Sequence, residues 1–258
     1  MLQYVRRKKK RGVTGIRIAI IIVFSILAVI ILPFVFLTLV TLPINPNKEY
    51  ERESPFYRSL LTGCSVILFK IIRVKFVITG EEKIPKTGRF LLVGNHRSNF
   101  DPIVSWTLLR KRNNISFVSK KENFKIPWFG RIIRRCCFME IDRENPRNAM
   151  KTLHKAALML KEDRASVGIY PEGTRSKELK LLPFHNGVFR IAKEANVPIV
   201  VAAVRGTEKI KENFPFHSTT VYVDYVDVIT PEEAAAAKTA DIGERVRHRL
   251  LSVLGEQN

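Results

Sequence analysis

The chain begins by separating charge from apolar character along its length. Residues Met1 to Arg17 contain Arg6, Arg7, Lys8, Lys9, Lys10, Arg11 and Arg17 and no acid, and the twenty-five residues from Ile18 to Leu42 contain no charge at all. At ~1.5 Å per residue, a helix over that run is long enough to cross a hydrocarbon core of ~30 Å. It exceeds the ~7–15 apolar residues of a secretory signal, and no small-residue cleavage site follows it. Pro33 falls inside the run, where its missing N–H can break a helix, and Pro43, Asn45, Pro46 and Asn47 predict a turn after it. A second apolar stretch, Leu60 to Phe69, is too short to span and is flanked by Arg58, Lys70, Arg73 and Lys75, the pattern of a helix lying in a membrane interface. The sequence thus predicts a basic cytosolic N-terminus over 1–17 and a membrane anchor of two helices over 18–72. A re-entrant or shallow anchor with both ends cytosolic is favoured. A plain single span is the competing arrangement, and with the basic end inside it would put the remainder outside.

From Arg73 the pattern changes to short runs rich in Val, Ile and Phe: Val74–Thr79, Phe90–Gly94, Ile115–Ser119, Ser166–Tyr170, Ile199–Val204 and Thr220–Ile229. These predict strands. Between them, Pro146 to Lys161 carries Ala149, Leu153, Ala156, Ala157 and Leu160 on one helical face, with Asn145 placed to cap it and Pro146 in the first turn. Thr230-Pro231-Glu232-Glu233 is a capping box that opens a helix ending near Gly255. The alternation predicts an α/β domain over 73–258, a mixed sheet flanked by helices.

Composition narrows the partners. With 44 Lys and Arg against 24 Asp and Glu the net charge is +20, which calls for an anionic partner. Nucleic acid is disfavoured, since no recognition-module signature is present and the aromatic residues do not interleave with a basic stripe. Cys64, Cys136 and Cys137 are an odd set with two adjacent, unlike a disulfide framework, and they suit a reducing, cytosol-facing domain. His154, His185, His217 and His248 are scattered without metal-ligand spacing, so no metal is expected.

Two loops carry chemistry. After the strand ending at Gly94 comes Asn95-His96-Arg97-Ser98-Asn99-Phe100-Asp101-Pro102, which puts an imidazole and a carboxylate on a loop entering a helix. An imidazole can accept a hydroxyl proton near neutral pH, and a carboxylate on its other nitrogen fixes the tautomer and stabilises the imidazolium. Equally, Asp101 can simply cap the helix and His96 be an ordinary loop residue. The second loop, Tyr170-Pro171-Glu172-Gly173-Thr174-Arg175-Ser176, follows another strand and combines a glycine with the donor fork of an arginine, suited to phosphate or to an exposed turn. Ile141-Asp142-Arg143 ends a further apolar run, in a structural ion pair or a phosphate cradle. None of Ser98, Cys136 and Cys137 sits in a nucleophile elbow, so a covalent acyl-enzyme is not expected.

Together, and in this order, these blocks resemble those of the glycerolipid acyltransferases, in particular the branch that acylates 1-acylglycerol 3-phosphate, with Val197-Pro198-Ile199-Val200 as a fourth block and a similarity running from Arg73 to Asp227. The resemblance implies transfer of a fatty acyl group from an acyl carrier protein or coenzyme A thioester to the sn-2 hydroxyl of lysophosphatidic acid. It makes His96 the general base and Asp101 its partner. It assigns Asn95, Arg97, Lys120, Arg143, Glu172, Gly173, Thr174 and Arg175 to substrate binding. No cofactor is implied beyond the thioester co-substrate, and the expected location is the cell membrane with the catalytic domain in the cytoplasm. Val201 stands where the fourth block usually has a second proline, and His185 where a lysine is frequent. Two other readings stay open: acylation of glycerol 3-phosphate or another lyso-lipid, and a non-catalytic protein binding anionic lipid at a membrane surface.

Overall fold

The computed structural model describes the backbone of residues 2–255, and side chains from Arg17 onward apart from 19, 26 and 30. The cluster from Arg6 to Arg11 therefore lies outside the described side chains. By its contacts the chain divides into two units, 1–47 and 48–258.

In the first unit, α1 (Leu2–Thr41) runs unbroken through Pro33, contrary to the expected break. Proline removes one backbone bond of the ladder, and the bonds on either side carry the helix across it. Its segment Ile20–Thr41 has a mean hydropathy of 3.3 and is, among the described residues, the one helix long and apolar enough to cross a membrane.

The second unit begins ahead of the expected boundary at 73, because α2 (Pro55–Ile71) packs with it. Arg58, expected as a flanking charge at a lipid interface, is 5% exposed instead. Its guanidinium bonds the Ile115 carbonyl at 2.9 Å, the Cys136 carbonyl at 3.0 Å and Glu53 at 2.7 Å, riveting the helix to the domain. Removing one partner of such a buried pair costs about 3–5 kcal/mol. Trp106 adds a second tie, donating from its indole to Ser65 Oγ at 2.8 Å.

Seven strands form the sheet: β1 (Val74–Thr79), β2 (Leu91–Gly94), β3 (Ile115–Lys120), β4 (Met139–Ile141), β5 (Ser166–Ile169), β6 (Ile199–Arg205) and β7 (Thr219–Ile229), in spatial order β1-β7-β6-β2-β5-β3-β4. All neighbours are parallel except β6 and β7. Parallel strands need crossover helices, which cover both faces, and β2 and β5 are accordingly buried at every residue. Alternation sorts the faces. Leu91, Val93, Val167, Ile169, Ile199 and Val201 join one cluster with Leu153 and Ala157 of α5 (Pro146–Lys161), Ile191 of α6 (Arg190–Ala195) and Val246 of α9 (Thr239–Leu254). On the other face, Phe117 packs against Trp106 of α3 (Phe100–Leu109) and against Phe138.

The predicted helix over 146–161 forms with Asn145 accepting from the Arg147 and Asn148 amides. The predicted C-terminal helix is two. Its capping box opens α8 (Pro231–Ala236), the backbone turns extended at Ala237 and Lys238, and α9 then runs to a left-handed Gly255.

Candidate active site

Three parallel strands, β6, β2 and β5, lie side by side and finish at the same end of the sheet, so the loops that follow them meet although they are far apart in sequence. His96 follows β2, Tyr170 to Ser176 follow β5, and Thr207 follows β6.

The Asp101 carboxylate organises the first loop from the start of α3. Fully buried, it accepts from His96 Nδ1 at 2.8 Å, from the Arg97 and Ser98 amides at 2.7 Å each, and from Thr207 Oγ1 at 2.5 Å. Two neighbouring backbone donors plus a hydroxyl leave the carboxylate one orientation, and that orientation fixes the imidazole edge. The histidine ring is held from its face as well. Tyr170 stacks on it at a centroid distance of 4.3 Å and an interplanar angle of 10°, and Phe117 backs Tyr170 at 5.9 Å. With Nδ1 on Asp101, the other ring nitrogen of this histidine, whose side chain is 16% exposed, is the one available for proton transfer.

The second loop is tied to the first. Glu172 accepts from the His96 amide at 2.6 Å and from the Leu182 amide at 3.0 Å, while the Ser176 amide donates to the His96 carbonyl at 2.8 Å. Burial pushes the Glu172 carboxyl up to about 7 despite these donors. Gly173 has φ +68°, a left-handed position where a side chain would be strained and would press on His185.

Beside the dyad lies a cavity of about 260 Å³ lined by Arg97, Thr174, Arg175, Ser176, Lys177, Leu179 and Glu208. Three cations face one carboxylate there, and Glu208 is itself engaged with the Gly206 amide. Ser176 Oγ, buried at its edge, has no hydrogen-bond partner. Such a hollow suits an anion bearing several acceptor oxygens.

The expected site residues thus fall into three groups. His96, Asp101, Arg97, Gly173, Thr174 and Arg175 come together. Asn95 and Glu172 are at the site but committed to the scaffold: the Asn95 amide exchanges two 2.8 Å bonds with the Val204 backbone, splicing β2 to β6. Lys120, the last residue of β3, and Arg143, just after β4, stand exposed at the same end of the sheet and do not line the cavity. Thr207 and the stacking role of Tyr170 were not foreseen. Tyr170 was within a quoted block, but no spacing rule links Thr207 to a carboxylate 106 residues away.

Cys136 and Cys137 are buried, and burial raises their thiols to about 12 and about 11, which leaves them protonated and poorly nucleophilic at neutral pH. Among the described residues no three His, Cys, Asp or Glu side chains group as metal ligands.

Comparison with known proteins places this arrangement. The acyltransferase family model matches residues 75–205, half of the chain. The chain is 34% identical over 136 residues to the 1-acyl-sn-glycerol-3-phosphate acyltransferase of Haemophilus influenzae, an alignment covering 51% of this chain and 56% of that protein. It is 26% identical to the enzyme of that name from Saccharomyces cerevisiae, covering 69% and 59%, so it spans less than two thirds of the length of both relatives. With that from Limnanthes douglasii it shares 27% identity, over 90% and 81% of the two chains. The crystal structure of the 1-acyl-sn-glycerophosphate acyltransferase from Thermotoga maritima has the same fold, with a TM-score of 0.61 at 23% identity over 78% of this chain and 81% of that one. A family model matched across the strands that carry both loops, and a shared sheet architecture, make this chain a member of the acyltransferase family.

Proposed function

We propose that the chain transfers a fatty acyl group from an acyl carrier protein or coenzyme A thioester to the free sn-2 hydroxyl of 1-acyl-sn-glycerol 3-phosphate, giving phosphatidic acid. The observation that carries this reading is the 2.8 Å contact of His96 with a fully buried Asp101, beside a hollow lined by Arg97 and Arg175. The acceptor phosphate binds among Arg97, Arg175 and Thr174, which brings the acceptor hydroxyl to the imidazole. His96 removes the hydroxyl proton as the oxygen attacks the thioester carbonyl. Asp101 stabilises the imidazolium that results, the tetrahedral intermediate collapses with loss of the thiolate, and the imidazolium returns the proton to it. A positioned base of this type contributes roughly 10²–10⁴ in rate.

The names of the relatives support the acceptor, and Lys120 and Arg143, at the same end of the sheet, add positive potential that attracts a phosphate or the phosphates of a donor. The helix over Ile20–Thr41 supports a membrane location, where the acceptor and product lipids reside, with the catalytic unit on the cytoplasmic side that supplies the thioesters.

The test is an assay of the purified full chain with both thioester donors against lysophosphatidate, glycerol 3-phosphate and a neutral lyso-lipid, reading free thiol and acylated product. Thiol release that depends on lysophosphatidate and matches phosphatidic acid formation supports the reading. Preference for another acceptor redirects it within the family, and no release with any acceptor leaves only a lipid-binding protein.

A further inference from the structure

The end of the sheet that carries His96 also carries an exposed aromatic tip. β7 runs antiparallel to β6, with Tyr222 opposite Arg205, and β1 runs parallel to β7, with Val74 opposite Thr219. The starts of β1 and β7 therefore lie at the end where β6, β2 and β5 finish. Phe214-Pro215-Phe216 ends two residues before β7, with Phe216 81% and Phe214 45% exposed. The segment is held against the α2–β1 junction, where Arg73 donates to the Pro215 carbonyl and the Thr219 amide to the Arg73 carbonyl at 3.3 Å. Ile71, the last residue of α2 and two residues before Arg73, is exposed as well.

An exposed Phe-Pro-Phe is costly in water and has no part in the dyad or the cavity. Its surroundings say what covers it. Lys70, Arg73, Lys75, Lys209 and Lys211 are exposed on the segments around it, against the single exposed acid Glu212. Aromatic rings at a loop tip, with four amines and one guanidinium on the neighbouring segments, match a surface that is apolar beneath an anionic layer, which is the make-up of an anionic phospholipid leaflet. A protein partner would instead need a recess complementary to a projecting tip. Counting strands, β1 lies three places from β2, about 14 Å at ~4.8 Å per strand, so a leaflet that receives the tip also lies close to the mouth of the site.

We infer that the Phe214–Phe216 tip and its basic surround form a bilayer-docking surface that seats the active-site end of the catalytic unit on an anionic leaflet, separately from the helix over Ile20–Thr41. The inference rests on the membrane attachment proposed above, and not on the identity of the acyl acceptor.

The test uses the full chain in a Cys64→Ser background, reconstituted in vesicles of phosphatidylglycerol and phosphatidylcholine that contain a nitroxide-labelled lipid. An environment-sensitive fluorophore is placed at His217→Cys, which keeps both phenylalanines, or at Glu162→Cys beyond the far end of α5. The expected result is blue-shifted emission at 217, quenched by the nitroxide several-fold more than at 162, weaker in vesicles of phosphatidylcholine alone, and lost when Phe214→Ser and Phe216→Ser are added. Emission at 217 as aqueous as at 162, or quenching unchanged by the two serines, overturns the inference. A chain that does not float with the vesicles overturns the membrane attachment as well, whereas a chain that floats with an unquenched tip overturns the docking surface alone. Neither readout depends on acyl transfer.

Discussion

The inner and outer strands of the sheet treat their functional side chains differently. After β2, β5 and β6, the side chains that hold the His96 loop are bonded to protein: Asp101 takes four donors, Glu172 two, and the Asn95 amide is closed on Val204, while the buried hydroxyls of Tyr170 and Ser176 have no partner. At the ends of β3 and β4, Lys120 and Arg143 are exposed cations on the rim. The difference follows from what each task requires. Proton transfer fails when an imidazole is misplaced by about an ångström, so its supports belong where strands are buried on both faces. Attraction of a phosphorylated substrate acts over several ångströms and tolerates mobile side chains in solvent.

That contrast sets the order of effects. Asp101→Asn removes the charge that stabilises the imidazolium and disturbs three donors besides, so kcat should fall roughly 10²–10⁴-fold with little change in the acceptor KM, as read by steady-state thiol release. A large rise in KM instead would move Asp101 into substrate binding. Arg175→Ala, in the cavity, should raise the acceptor KM about 10–100-fold, the worth of a charge-assisted bond. Lys120→Ala, on the rim, should change it less than about tenfold and less again at high salt, because exposed charges are screened. Equal effects of Arg175 and Lys120 would erase the distinction between cavity and rim.

Glu172 gives the smallest effect, seen in stability. Its folded carboxyl is raised to about 7 from 4.5, so between those values the native state binds a proton that the unfolded chain has lost. Stability from this group is complete below about 4.5 and declines as pH rises to about 7, above which the cost of holding the buried carboxylate is fully present. The advantage of the wild type over Glu172→Gln, followed by thermal melts across that range, should shrink with rising pH. A constant difference would mean that Glu172 is ionised throughout.

Much of this was legible in the sequence. Six strands showed themselves as short β-branched runs, and the helix over 146–161 by its apolar face and its asparagine cap. β4 did not, since three residues, Met139–Ile141, are too few to show a period. Arg58 read as a solvated charge because hydropathy cannot tell a guanidinium in water from one bonded to two carbonyls and a carboxylate. The break at Ala237 and Lys238 also left no proline or glycine to announce it. Within the site, His96 and Asp101 share a local loop, so their spacing carried the contact. Thr207 and the Tyr170 stack arise from strand order, which joins β6, β2 and β5 across more than a hundred residues, and no single segment records it.

The claim on which the account turns is that His96 handles the proton of the acceptor hydroxyl. Replacing it by alanine and measuring thiol release with saturating lysophosphatidate and thioester, alongside a melt to show that the variant is folded, tests this directly. The account predicts a folded protein whose kcat is lower by roughly 10²–10⁴ with its acceptor KM nearly unchanged. A folded His96→Ala enzyme turning over at the wild-type rate would contradict it.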